Sequence, residues 1–213
     1  MLRGLIFDFD GLIADTETVW YRVLCRLYTA HGATLPYALW RSGVGHGPDA
    51  FDPFATLAGL VGGRHSRAAL EAQGERMFRT AMRGVRTRPG VVPFVARATA
   101  AGLRLAVASS SRRASVEPYL YRFGLRRHFA YVATGDDVTR IKPAPDLYLL
   151  ALRGLGLRAP EAVALEDSGV GLRAATAAGL RCVVVPTWAT ADHDFTTSCC
   201  VVKSLRGLDP LTL

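Results

Sequence analysis

Two aspartates, Asp8 and Asp10, stand one residue apart in the stretch LIFDFDGLIADTE, after an apolar run and before Gly11. In an extended strand, residues i and i+2 point to the same side. Like charges held there repel, and burying either is costly unless a positive group lies between or beside them. Asp and Gly are also turn residues. The stretch alone therefore reads as a turn, as a cation site, or as two carboxylates with separate chemical tasks. Further polar groups close other apolar runs: Ser109 in RLAVASSS, and Glu166 with Asp167 in AVALED. Lys142 follows YVATG and directly precedes Pro143.

These groups need elements that bring them together. RGLIFDF, RLAVASSS, YVATG, AVALED and RCVVVP read as strands, and residues 200–202 as a short edge strand. The strong ones are unbroken apolar runs, the pattern of strands buried on both faces. Helical patterns fall between them, at 91–101, 112–123, 145–155 and 169–178. Pro118 is expected to kink or divide the second, and Ser168 to cap the last. Alternating strands and helices predict an α/β fold with an open, parallel, Rossmann-like sheet and helices on both faces. Residues 16–88 break the rhythm. They offer helices at 18–30, 51–60 and 66–82 and no convincing strand, too long for a βα connection. We expect an inserted all-helical domain over 16–88 and a core domain made of 1–15 and 89–213.

In such a sheet, ligands bind beyond the carboxyl ends of the strands. Asp8, Asp10, Ser109, Lys142, Glu166 and Asp167 would converge there, and the chemistry that fits is phosphoryl transfer. Carboxylates suit Mg²⁺, a hard cation that takes oxygen ligands. A carboxylate can serve as nucleophile and form an aspartyl-phosphate. A serine and the N–H groups ahead of a helix can hold a phosphate, and a lysine supplies a compact positive charge. Lys142 and Lys203 are the two lysines among 26 basic residues.

The remaining composition narrows the class. The net charge is +8 and the isoelectric point about 9.8, but the arginines are scattered without blocks or aromatic interleaving. Nucleic acid is not the expected partner. No apolar run has the length of a membrane span, and the short N-terminal run is not a signal peptide. Cys25, Cys182, Cys199 and Cys200 lack zinc-site spacing and read as reduced thiols in a cytoplasmic protein.

Taken together, four stretches resemble the motifs of the haloacid dehalogenase-like superfamily, in family order: DFDGLIADTE, VASSS, KPAPDLY and LEDSGVG. The insert resembles the small helical cap of the subfamily with phosphoglycolate phosphatase and β-phosphoglucomutase. The resemblance implies an enzyme, a Mg²⁺-dependent phosphoric monoester hydrolase acting on a small phosphorylated metabolite. It implies Asp8 as nucleophile and metal ligand, and Asp10 as general acid/base with its carbonyl on the metal. Asp167 would ligate Mg²⁺, with Glu166 acting directly or through water. Ser109 and Lys142 would bind the phosphoryl group, Lys142 bridging to Asp8, and the Gly11 and Ser110 N–H groups would line the same pocket. The alternatives are a phosphosugar mutase and a non-catalytic phosphate binder. Trp20 stands where β-phosphoglucomutase carries a histidine, and the cap loop SGVGHGPD lacks that enzyme's arginine. Asp10 argues against dehalogenation, whose enzymes lack the second aspartate, and against a mere binder.

In the insert, Trp20, Arg41 and His46 are candidate substrate contacts, with packing the plainer role for Trp20 and Tyr21. Ser111 is assigned to a helix cap, and Asp136 and Asp137 to a solvated loop. His193, between Asp192 and Asp194, is read as a surface loop residue and not a metal ligand. A monomer or weak homodimer is expected.

Overall fold

The computed structural model describes residues 1–44 and 51–213. Its contacts divide the chain into two compact units, one of Met1–Ala14 with Arg86–Leu213 and one of Asp15–Val85.

The first unit is a six-stranded parallel sheet. β1 (Gly4–Phe7), β2 (Arg104–Ala108), β3 (Phe129–Ala133), β4 (Ala162–Glu166), β5 (Arg181–Val184) and β6 (Cys200–Val201) take the order β3-β2-β1-β4-β5-β6. β1 is central, with Gly4 beside both Arg104 of β2 and Ala162 of β4. Every residue of β1 and β4 is buried, as their unbroken apolar runs require. Side chains alternate between the two faces. Ile6, Ala106, Ala164 and Cys182 form one core with α7 (Asp146–Leu155) and α8 (Gly169–Ala177). Phe7 faces the other way and meets Phe94 of α5 (Val91–Ala100) edge-on at 6.0 Å. Pro118 does not divide α6 (Arg113–Arg122), which continues through it. Proline has no N–H, so the bond this position would make to the Ala114 carbonyl is missing.

The second unit contains α1 (Thr16–Ala30), α2 (Tyr37–Gly43), α3 (Pro53–Leu60) and α4 (Arg67–Met82), and no strand among its described residues. α2 was not anticipated: its seven residues are too short to show helical periodicity. It lies directly after Pro36, which stands at its N-cap. Aromatic rings hold this unit together. Trp20 stacks on Phe78 at 4.3 Å and meets Phe54 edge-on, while Tyr21 packs on Trp40 at 4.5 Å. No described helix is long and apolar enough to cross a membrane. The four cysteines are unbridged.

Candidate active site

The order of the sheet reverses at β1. The chain leaves β1, builds β2 and β3 outward on one side, then returns to place β4 on the other. A crevice opens beyond the strands at such a reversal. Asp8 is the first residue past β1, and its N–H donates to Leu165 O of β4 at 2.9 Å. Glu166 ends β4 and Asp167 follows it. The sequence thus brings three carboxylates to the mouths of two adjacent central strands.

All three are buried, Asp8 at 6%, Glu166 at 0% and Asp167 at 3% exposure. Each offers an oxygen within 4.8 Å of the others. Lys142, in the loop between β3 and α7, supplies the cation. Its Nζ donates to Asp8 Oδ1 at 2.5 Å and to Glu166 Oε1 at 2.6 Å. Burial pushes the Asp8 carboxyl well above the usual range. Lys142 opposes that shift, and the charges of Glu166 and Asp10 add to it. Burial acts to lower the Lys142 ammonium, but the two carboxylates against it hold it above its ordinary value.

Glu166 is the most heavily bonded member. Besides Lys142, Oε1 accepts from the Tyr148 hydroxyl at 2.6 Å. Oε2 accepts from the Asp167 N–H at 3.1 Å, the Ser168 N–H at 3.4 Å and the Ser168 hydroxyl at 3.2 Å. Two glycines make the space. A Cβ on Gly171 would stand within about 2 Å of the Glu166 carboxylate carbon and oxygens. One on Gly11, whose φ is +78°, would stand 2.1 Å from Asp167 Oδ2. Only a glycine fits at either place.

Asp10 is held from the β2 side. Its Oδ2 accepts from the Ser109 hydroxyl at 3.1 Å and the Ser111 hydroxyl at 2.7 Å. Ser109 Oγ in turn accepts from the Ser111 N–H. Ser111 therefore does not cap α6, whose N-cap is Arg112 with no side-chain bond. Its backbone still belongs to the turn, but a charged acceptor close by outcompetes a helix N–H for the hydroxyl. The Ser110 N–H has no acceptor among the described residues. The Gly11 N–H, expected to face the phosphate, instead donates to Ala14 O at 2.8 Å. The tight turn that bridges Asp10 to Ala14 claims that donor.

Other candidates have structural partners. Asp136 accepts from the Arg113 N–H, and Asp137 pairs with Arg113 and closes a box with Thr134. His193 Nδ1 accepts from the Gly169 N–H at the start of α8. Trp20 and Arg41 belong to the helical unit. Trp20 and Trp40 also wall a cavity of about 250 Å³ there, together with Glu17 and Phe54. Arg41 occupies the last turn of α2. His46 lies outside the described residues. Tyr148, Gly171 and Ser111 were missed as site residues. The signals present were the tyrosine closing KPAPDLY, the second glycine of SGVG and the third serine of VASSS; Ser111 and Tyr148 acquire their roles through partners 101 and 18 positions away, and Gly171 through the fold of the chain back onto Glu166.

The profile of the haloacid dehalogenase-like hydrolases matches residues 5–185. The chain belongs to this family. It is a hydrolase by that membership, and the haloacid dehalogenase-like motifs are the stretches that carry the crevice residues. Protein YhcW of Bacillus subtilis (strain 168) is 40% identical over 190 residues, covering 89% of this chain and 86% of YhcW. Among solved structures, CbbY from Rhodobacter sphaeroides in complex with phosphate has a TM-score of 0.79 and 33% identity. The match covers 98% of this chain and 96% of that one. A mutant of the same protein, in complex with xylulose-(1,5)bisphosphate, matches over the same shares at 32% identity and a TM-score of 0.79.

Proposed function

We propose that this haloacid dehalogenase-like hydrolase is a Mg²⁺-dependent phosphatase that cleaves a small phosphate monoester through an aspartyl-phosphate on Asp8. The observation that carries the reading is the crevice itself: a buried carboxylate fixed by Lys142, with a second aspartate two residues on held by two serines.

The residues present fit a divalent cation. Three buried carboxylates lie together, with Lys142 bonded to two of them; burial raises the Asp8 carboxyl, and the charges of Glu166 and Asp10 add to that shift. Asp8, Asp167 and the Asp10 carbonyl would hold the ion. Glu166, whose oxygens are taken by five protein donors, would act through water. Bound there, Mg²⁺ would offset the repulsion between carboxylate and phosphate and stabilise charge on the transferring oxygens.

In the first step, Asp8 forms a bond to phosphorus as the ester P–O bond breaks. The electron pair stays with the departing oxygen, which takes a proton from Asp10. In the second step, Asp10 receives a proton from water as the water oxygen bonds to phosphorus. The bond from phosphorus to Asp8 breaks, and its pair restores the carboxylate. Lys142 is close enough to Asp8 to neutralise a phosphoryl oxygen placed on it, and the open Ser110 N–H is a further donor for that group. The phosphate and pentulose bisphosphate held by the CbbY structures support a phosphorylated sugar as the substrate class.

The test is phosphate release with Mg²⁺ from a panel of sugar phosphates, phosphoglycolate, nucleotides and an aryl phosphate. Turnover is expected to disappear in excess EDTA and in Asp8→Asn, which should remain folded. Hydrolysis surviving in Asp8→Asn overturns the mechanism.

A further inference from the structure

Arg88 lies outside the family motifs, two residues ahead of Gly90, the N-cap residue of α5. Its guanidinium binds three main-chain carbonyls from two distant parts of the chain. Nη1 donates to Gly11 O at 2.5 Å and to Val185 O at 2.8 Å, and Nη2 donates to Pro186 O at 2.9 Å. Its own N–H donates to Ile13 O at 2.8 Å. One residue thus grips the turn after β1 twice and the exit of β5 twice. β4 runs between those two strands, and its last residue is tied to the same bracket: the Val185 N–H donates to Glu166 O at 2.7 Å.

The gripped turn is the one that carries Asp10. Gly11 follows it in a left-handed conformation; its N–H is tied to Ala14 O within the turn, and its carbonyl is taken by Arg88. Ser109 and Ser111 fix the Asp10 carboxylate from the β2 side, and Arg88 fixes the next carbonyl from the β5 side. A planar fork suits this task because it offers several donors in fixed directions, as a lysine does not.

We propose that Arg88 is a positioning residue for Asp10: it locks the turn after β1 so that the acid/base carboxylate stays aligned on the ester and water oxygens. The proposal rests on the phosphatase reading for what Asp10 does, and on the geometry alone for what Arg88 holds.

The test compares Arg88→Gln with the unaltered enzyme on two kinds of substrate. A nitrophenolate leaves without a proton, whereas an alkoxide needs one from Asp10. Misplacement by about an ångström lowers rates about 100-fold. The expected result is a loss of that size in kcat/KM for alkyl phosphates, with kcat/KM for nitrophenyl phosphate within about threefold of the unaltered enzyme. Nitrophenolate should then appear in a burst, because the second step still needs Asp10 as a base. In Arg88→Ala, added guanidinium ion is expected to restore alkyl phosphate turnover. Equal losses on both substrates, or no loss, overturn the proposal, since general loosening would not distinguish leaving groups. A crystal structure of Arg88→Gln provides a readout free of activity. Asp10 should have left Ser111, and an unchanged Asp10–Ser111 contact overturns the proposal even if the phosphatase reading fails.

Discussion

Replacing Lys142 with methionine removes the cation bonded to Asp8 and Glu166 and keeps most of the side-chain volume. Both carboxylates are nearly sealed from water, and both lose a short charge-assisted bond. Removing one partner of a buried pair costs about 3–5 kcal/mol, because the remaining charge is left without compensation. For a chain of this size, each kcal/mol moves the melting temperature by about 2–4 °C, so a fall of about 6–20 °C is expected at neutral pH without added metal. The pH dependence carries the stronger test. A buried carboxyl with a raised folded-state pKa holds a proton that the unfolded chain has already released. Stability then falls as pH rises through that window and recovers as pH falls towards the unfolded value of about 4. Asp8 already tends this way with Lys142 present. Without the lysine, the penalty should shrink as pH falls from neutral towards the unfolded value. Thermal unfolding in EDTA across that range measures it. A shift below about 2 °C, or a penalty that grows on acidification, would refute the argument that Lys142 compensates buried charge.

Two further substitutions probe the support of the crevice. Ser111→Ala removes a 2.7 Å bond to Asp10 while Ser109 remains, so kcat should fall about tenfold with KM little changed, as steady-state kinetics on the best substrate of the panel will show. Gly171→Ala would drive a methyl into the Glu166 carboxylate, displacing it from Lys142 and Tyr148, and should remove activity and lower the unfolding midpoint in urea by the equivalent of about 2 kcal/mol or more.

Much of the crevice was legible because its main groups share one simple signal. Asp8, Ser109 and the Glu166–Asp167 pair each end an apolar run, and apolar runs are what a doubly covered parallel sheet requires. Lys142 was legible as the polar group that follows the strand YVATG and as one of two lysines among 26 basic residues. Ser111 and Tyr148 were not legible as site residues, because each is defined by a partner across the fold, and Gly171 was not because its need for space depends on where the Glu166 carboxylate turns. Ser111 reaches back to Asp10 over 101 positions, and Tyr148 meets Glu166 through the packing of α7 on the sheet. Arg88 left even less trace: its acceptors are carbonyls, and a carbonyl is the same for every residue type. The helical insert was visible as a missing strand rhythm, but α2 was too short to announce itself.

The central place of β1 also has a consequence for how the chain is made. Its partners on either side, β2 and β4, are paired from Gly4 to Arg104 and to Ala162. Of these strands β1 is made first, and it waits about a hundred residues for its first neighbour, some 5–20 seconds at common rates of synthesis. For that time LIF, the most apolar part of β1, is an unpaired edge of the kind that associates with other chains. The four helices of Asp15–Val85 are built from local contacts and can form in the interval. The carboxylate cluster of the crevice then stays incomplete until Asp167 has emerged, well over a hundred residues after Asp8.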